Sequence, residues 1–261
     1  MNPSAAKAPA TAGDAGNWAA EPAVGADAKN PAAKGSLVVV DIGIMAVNQI
    51  TVEGRNWIEQ SDRVLLFGTD PITERWIHTL NKHVESLSNL QTADEIVERT
   101  LEHVRAGLSV CLAHRGFQAL SAEVSRAATD RSRAEGFSAA MVPGVSTLDC
   151  LSVDLGLDLV GTGCQYFAAD GFVERNRPPD VMAALILVLA EDTALADLCD
   201  LLRGWYGAEH EIILYEPARY SVFEPTIQRC AMGKLAEASL AGISTLFVPP
   251  KLEAAAGPPD G

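Results

Sequence analysis

Between Ser36 and Gly144, short apolar runs alternate with segments of helical period, and this alternation limits the fold more than any single motif does. Ser36 to Val40, Arg63 to Phe67, Ser109 to Ala113 and a short run into Pro143-Gly144 read as buried strands. The segments between them read as helices: Thr51 to Gln60, Thr69-Asp70-Pro71 onward to about Asn81, Thr92 to Ala106 stopped by Gly107, and Ser121 to Ala134 ending at Gly136. Such alternation implies a mostly parallel sheet wound by right-handed crossovers, with ligands expected beyond the carboxyl ends of its strands.

The stretch Met141 to Leu159 closes this pattern. Pro143-Gly144 ends an apolar run, Ser146 follows as an N-cap, and Asp149 three residues on completes an approximate capping box. Leu148, Leu151, Val153 and Leu155 supply an apolar stripe of imperfect period until Gly156 stops the helix. A strand-end turn opening into a capped helix is either an ordinary joint or a place where backbone N–H groups meet a polar or anionic ligand.

After Gly156 the character changes. Gln165 to Ala169, Val181 to Ala190, Glu211 to Tyr215, Thr226 to Met232 and Ser244 to Val248 read as strands, with one clear helix, Ala194 to Tyr206. Strands that outnumber helices imply a mixed or antiparallel second sheet. The expected division is a disordered tail over 1–34, an N-terminal α/β domain over 35–158, a C-terminal α/β domain over 159–252, and a tail over 253–261, with the boundary near 157–163. The N-terminal tail has no hydrophobic period, and Trp18, its only bulky apolar residue, is either incidental or a docking contact.

A formal charge of −14 argues against a general hold on nucleic acid or anionic membrane. No stretch approaches the length of a membrane span, and the acidic balance suits a cytoplasmic protein. Cys111, Cys150, Cys164, Cys199 and Cys230 form no CxxC pair and read as reduced thiols. His78, His83 and His103 fall on helices or their ends, and no His/Cys cluster has ligand spacing, so no metal is expected.

Several segments together resemble the tetrapyrrole methylase superfamily. They are Gly35-Ser-Leu-Val-Val-Val with its glycine turn, Ile50-Thr51, and Trp57 to Val64. Within it the likeness is to the borosin peptide-backbone α-N-methyltransferases, through Asp70-Pro71-x-Thr73-Glu74, Val104-Arg105-Ala106-Gly107, Ala134-Glu135-Gly136-Phe137, Pro143-Gly144-Val145-Ser146, Asp149-Cys150-Leu151, Asp154-Leu155, Tyr206-Gly207-Ala208-Glu209-His210, Ile243-Ser244-Thr245 and Pro249-Pro250-Lys251. The resemblance spans about 35 to 252. It implies a two-domain tetrapyrrole-methylase-like α/β fold, with a parallel sheet in the N-terminal domain and a mixed sheet in the C-terminal one. It also implies S-adenosylmethionine as methyl donor, and a ribosomally made peptide as acceptor. The chain stops soon after Pro249-Pro250, so a separate precursor peptide is the expected substrate. A homodimer is expected, or a heterodimer with a related methyltransferase.

The resemblance breaks where the chemistry should be. The family's Arg-x-Asp-Thr-Tyr segment aligns with Asn89-Leu90-Gln91-Thr92-Ala93, and its Tyr-Gly-His-Pro-Gly loop with Arg115-Gly116-Phe117-Gln118-Ala119; only Thr92 and Gly116 match. Ala93 has no acid, base or donor, and Asn89 lacks the fixed charge of a guanidinium. Arg115 in place of a tyrosine is a permanent cation that can stabilise an oxyanion or pair with a carboxylate. His114, beside it at a strand end, is either a base or a loop histidine, and Asp41 is a second candidate base. Asp41-Ile42-Gly43 stands where the family has Gly-x-Gly, and Leu189 where related chains place a glutamine.

The catalytic candidates are therefore Arg115 and His114. The donor-contact candidates implied by the resemblance are Asp41, Gly43, Gly116, Phe117, Leu120, Ser146, Leu189, Ser244 and Thr245. Arg175 and Arg177 ahead of Pro178-Pro179 form a basic break that faces a peptide or solvent, and His210 reads as part of a structural turn. Three readings stay open: a methyltransferase with a different residue set, a degenerate member that binds a peptide or an active partner, and a cleft adapted to another nucleotide-like or tetrapyrrole-like ligand.

Overall fold

The computed structural model describes residues 35–90, 92–116, 119–190, 192–238 and 244–251, with backbone only for 119–121. The expected tails, Trp18 and Phe117 lie outside the described residues. The first sheet contains β1 (Ser36–Asp41), β2 (Arg63–Phe67), β3 (Val84–Ser86), β4 (Ser109–His114) and β5 (Ser138–Val142). All its pairings are parallel, in the order β3-β2-β4-β1-β5. The helices on it are α1 (Ala46–Gln49), α2 (Val52–Gln60), α3 (Pro71–Leu80), α4 (Ala93–Arg105) and α5 (Ala119–Ala134).

Strand period explains the layers. Leu37, Val39, Leu65 and Leu112 pack with Ile96, Leu101 and Val104 of α4 and with Val124 of α5. Val38, Val40, Val64 and Cys111 face the other way, toward Ile58 of α2 and Ile77 of α3. Both faces are buried, which is why the strands read as continuous apolar runs. The helix starts follow their caps: Thr51 accepts from Gly54 N, Asp70 caps α3 with Pro71 at its first turn, and Thr92 with Glu95 forms a capping box.

The stretch after β5 behaves as the sequence implies. Ser146 and Asp149 form a capping box on α6 (Thr147–Leu155), and Gly156 ends it in the left-handed region at φ 64°. Leu151 is fully buried, but against the second sheet, with Ala184, Ile186, Ile213, Tyr215 and Phe247. The change of core therefore falls at the Pro143–Ser146 turn, ahead of 157–163. Val153 points outward and is 79% exposed, which accounts for the imperfect stripe.

The second sheet is mixed. It holds β6 (Cys164–Ala168), β7 (Ala184–Leu189), β8 (Glu211–Glu216), β9 (Thr226–Ala231) and β10 (Ser244–Val248), ordered β6-β7-β10-β8-β9. Only β6 and β7 pair in parallel. Its far face is covered by α7 (Ala169–Glu174) and α8 (Leu195–Tyr206).

Differences from the sequence reading have local causes. β3, α1 and α7 are elements the sequence reading did not mark: β3 carries Val-Glu-Ser with no apolar run, and α1 and α7 are too short to show a period. β7 begins at Ala184 because Asp180 turns the chain, its carboxylate accepting from Met182 N at 2.9 Å. Residues 232–237 form a 3-10 helix where the strand was extended to Met232.

Candidate functional site

The parallel strands of the first sheet end on one rim. Asp41 closes β1, His114 closes β4 and Phe67 closes β2, with Asp41 and Phe67 both in register with His114. Pro143-Gly144 leaves β5 on the same rim, and the approach there is tight: a Cβ on Gly144 would lie 2.5 Å from the Asp41 carbonyl oxygen and 2.8 Å from Gly43 N. A cavity of about 460 Å³ opens beside these ends, walled by Val39, Met141 and Val142 and by Asp41, His114 and Ser146.

Asp41 is 6% exposed. Its Oδ1 accepts from Gly43 N at 2.8 Å and from Gly116 N at 3.0 Å, joining the loops after β1 and β4. Burial pushes its carboxyl above the usual range, against the two N–H bonds and the nearby His114. His114 is buried as well. Its Nδ1 lies 3.1 Å from the Gly116 carbonyl, which can only accept, so Nδ1 carries the proton and Nε2 accepts from the Ser125 hydroxyl at 3.1 Å. Burial pulls its pKa down despite Asp41 and the Gly116 bond. Both ring nitrogens are committed, which leaves His114 a positioning group on the cavity wall and not a base open to substrate.

Arg115 follows His114 just beyond the end of β4. Its guanidinium lies 3.4 Å from Oδ2 of Asp70, and Oδ1 of Asp70 accepts from the Tyr220 hydroxyl at 2.5 Å. Burial and the nearby Arg219 pull the Arg115 pKa down, while Asp70 and Tyr220 oppose this. Asp70 also caps α3, taking Ile72 N, Thr73 N and the Thr73 hydroxyl. Burial would raise its pKa, but the bonds from Tyr220 and Thr73 outweigh it and hold the carboxyl at about 2. Tyr220 lies between β8 and β9, so this cluster ties the second sheet's loop to the first sheet's rim.

A second tie runs between α1 and α6. Gln49 Oε1 accepts from Ile44 N and Met45 N at 3.1 and 2.8 Å, and Gln49 Nε2 lies 3.4 Å from Cys150 Sγ. Outside it, a groove of about 420 Å³ runs between α6 and the 217–225 loop, past Asp149, Asp154 and Phe223.

The donor-contact candidates divide between the two halves. Asp41 and Ser146 line the cavity, and Gly43 and Gly116 are bonded to Asp41 behind it, although the Ser146 hydroxyl is held by its cap, 2.6 Å from Asp149 Oδ2. Leu189 packs in the apolar cluster beneath α8, and Ser244 pairs with it across the sheet. Thr245 is in register with Tyr215 and alternates with those two toward the α6 side. The side chain of Leu120 lies outside the described residues. Asn89 is exposed ahead of α4, and Ala93 packs on the apolar cluster beneath that helix. Among the described residues no group of His, Cys, Asp and Glu could hold a metal, and no helix is long and apolar enough to cross a membrane.

Sequence reasoning missed Tyr220, Ser125 and the pairing role of Asp70. Tyr220 sits in a loop without period, and Ser125 lies in the middle of a helix, so neither carried a local signal.

A parallel sheet whose strand ends open on a cavity of about 460 Å³, joined to a mixed sheet through α6, defines a two-sheet α/β protein. The chain belongs to the tetrapyrrole (corrin/porphyrin) methylase family, whose pattern matches residues 36–224. It is similar to the methyltransferase/ribosomally synthesized cyclic peptide dendrothelin A precursor of Dendrothele bispora, 33% identical over 83% of this chain and 58% of that protein. It is also similar to a methyltransferase/type I borosin cyclic peptide precursor of Coprinopsis marcescibilis, 31% identical over 87% of this chain and 64% of that one. The chain thus spans somewhat over half the length of these relatives. The fold matches uroporphyrin-III C-methyltransferase from Thermus thermophilus, solved with S-adenosylhomocysteine, at a TM-score of 0.63 and 18% identity, covering 82% of this chain and 97% of that one.

Proposed function

We propose that the chain is a borosin-type methyltransferase that uses S-adenosylmethionine to methylate backbone amides of a ribosomally made peptide. The observation that carries this reading is the convergence of Asp41, His114, Gly144 and Ser146 on one cavity, with Gly116 N bonded to Asp41. The apolar wall of Val39, Met141 and Val142 suits a nucleoside and a thioether, and Asp41 gives the cavity a polar end. S-adenosylmethionine supplies an electrophilic methyl group when bound.

The chain's own residues then have distinct tasks. Transfer exchanges the amide N–H proton, which passes to solvent water, for the methyl group; the negative charge that gathers on the amide oxygen as that proton leaves is what the Arg115 cation would hold. Asp70 and Tyr220 fix the guanidinium. The buried His114 and Asp41 hold the loops after β1 and β4, and with them the cavity's shape. The peptide arrives as a separate precursor, or on the same polypeptide as in relatives whose names join methyltransferase to precursor. A homodimer is the expected assembly, in the cytoplasm.

One observation favours a second reading. Asn89 and Ala93 bring no acid or base, and Arg115 is already paired with Asp70. In that reading the chain holds a peptide or a related active methyltransferase as a heterodimer and transfers nothing.

The test is calorimetric titration with S-adenosylmethionine and S-adenosylhomocysteine, followed by mass analysis of candidate peptides incubated with the donor. Micromolar binding and a gain of one methyl mass per transfer are expected. Binding of a related methyltransferase without any donor binding would overturn the transfer reading in favour of the second.

A further inference from the structure

The backbone N–H groups of Gly43 and Gly116 leave two separate loops and converge on one point. Convergent N–H groups of this kind form a site for an anion. In this chain the anion is already present, because Oδ1 of Asp41 takes both bonds, at 2.8 and 3.0 Å. Asp41 cannot readily swing away: Gly144 packs so close that even a Cβ there would lie 2.9 Å from the Asp41 Cγ. The residue lines the cavity while only 6% exposed. Its other oxygen, Oδ2, has no hydrogen-bond partner among the described residues.

A fixed, buried carboxylate with one uncommitted oxygen is costly unless a positive or donor group meets it, and it repels a second carboxylate. The neighbouring groups do not remove that demand. His114 spends both nitrogens on Gly116 and Ser125, and the Ser146 hydroxyl is held by Asp149.

We infer that Asp41 sets the ligand class of this cavity: it fills the backbone anion site itself and offers Oδ2 to a cationic or N–H-donating head group, so that a ligand carboxylate is excluded from this end. The inference rests on the donor reading above for the identity of the ligand. It requires the ammonium or sulfonium of S-adenosylmethionine to face Asp41 and the carboxylate to point elsewhere.

The test compares S-adenosylmethionine with its decarboxylated analogue, which keeps the sulfonium and ammonium. In calorimetric titration of the full chain the decarboxylated ligand binds at least as tightly. In Asp41→Gly, which frees the two N–H groups, the ratio shifts toward S-adenosylmethionine by about tenfold. A preference of tenfold or more for S-adenosylmethionine in the unaltered chain, or a ratio that Asp41→Gly leaves unchanged, overturns the inference.

Asp41→Asn covers the case in which the glycine variant does not fold, since its amide oxygen still accepts from both N–H groups. It is expected to lose about tenfold in affinity for the decarboxylated ligand, and no loss counts against the role of the charge. A readout independent of the donor is titration with acetate, followed at the amide signals of Gly43 and Gly116. Those signals stay still in the unaltered chain and move saturably in Asp41→Gly; movement in the unaltered chain overturns the inference. If neither sulfonium binds, the donor reading fails, and the acetate titration alone decides the role of Asp41.

Discussion

The hydroxyl of Tyr220 donates to the carboxylate of Asp70 at 2.5 Å, tying a loop of the second sheet to the N-cap of α3 on the first. The same carboxylate pairs with Arg115, so three elements meet on one acid. Tyr220→Phe removes a bond to a charged acceptor at a partly solvated site and is expected to cost about 1 kcal/mol in denaturant unfolding.

The variant should also change the acid limb. The Asp70 carboxyl is held at about 2, below its ordinary 3.8, so its contribution is complete above 3.8 and is lost as pH falls through the native value. Without Tyr220 the native value rises toward the ordinary one and that slope shrinks. Unfolding curves measured from pH 5 to pH 2 check this, and an unchanged slope would show that Tyr220 does not set the Asp70 charge.

Arg115 separates chemistry from binding. If its guanidinium stabilises charge on the acceptor amide, Arg115→Ala lowers kcat by about 100-fold while donor affinity stays within about twofold. Single-turnover methyl transfer by mass analysis, paired with donor calorimetry, distinguishes the two. Equal loss in both would make Arg115 a strut for the cavity rim.

Gly144 tests the close approach of the two rims. The Cβ of Gly144→Ala would sit 2.5 Å from the Asp41 carbonyl oxygen, and both partners are backbone, so the loops after β1 and β5 must part. A loss of about 2–3 kcal/mol in thermal or denaturant stability is expected, with weaker donor binding. By contrast, Ser146→Ala removes only a cap and should cost about 1 kcal/mol.

The fold was legible where local and global preferences agree. Ser146, Asp149 and Gly156 marked both ends of α6, and the apolar runs of β1, β2 and β4 located a sheet buried on both faces. The side on which α6 packs was not legible. Leu151 is equally apolar whichever sheet covers it, and only the turn at Pro143-Gly144 decides that it meets Ile186 and Phe247. The site divided in the same way. His114 and Asp41 stood at strand ends where parallel topology gathers residues, whereas Tyr220 reaches Asp70 from 150 positions away, a distance that no spacing rule bridges.

His114 gives a signature of the buried wall. Its surroundings pull its pKa below the ordinary 6.5, chiefly through burial, while Asp41 pulls the other way. The unfolded chain takes up a proton near 6.5 and the native ring only at lower pH, so the unfolded state binds more protons between the two values. Stability should therefore fall as pH drops below 6.5, until the native ring also protonates. The ring should meanwhile remain the neutral Nδ1–H tautomer that the Gly116 carbonyl requires. Nitrogen-resolved NMR of the imidazole checks the tautomer, and a pH series of unfolding curves with His114→Gln checks the slope. A ring that titrates at 6.5, or a slope that His114→Gln leaves unchanged, would place His114 in water and remove it from the cavity wall.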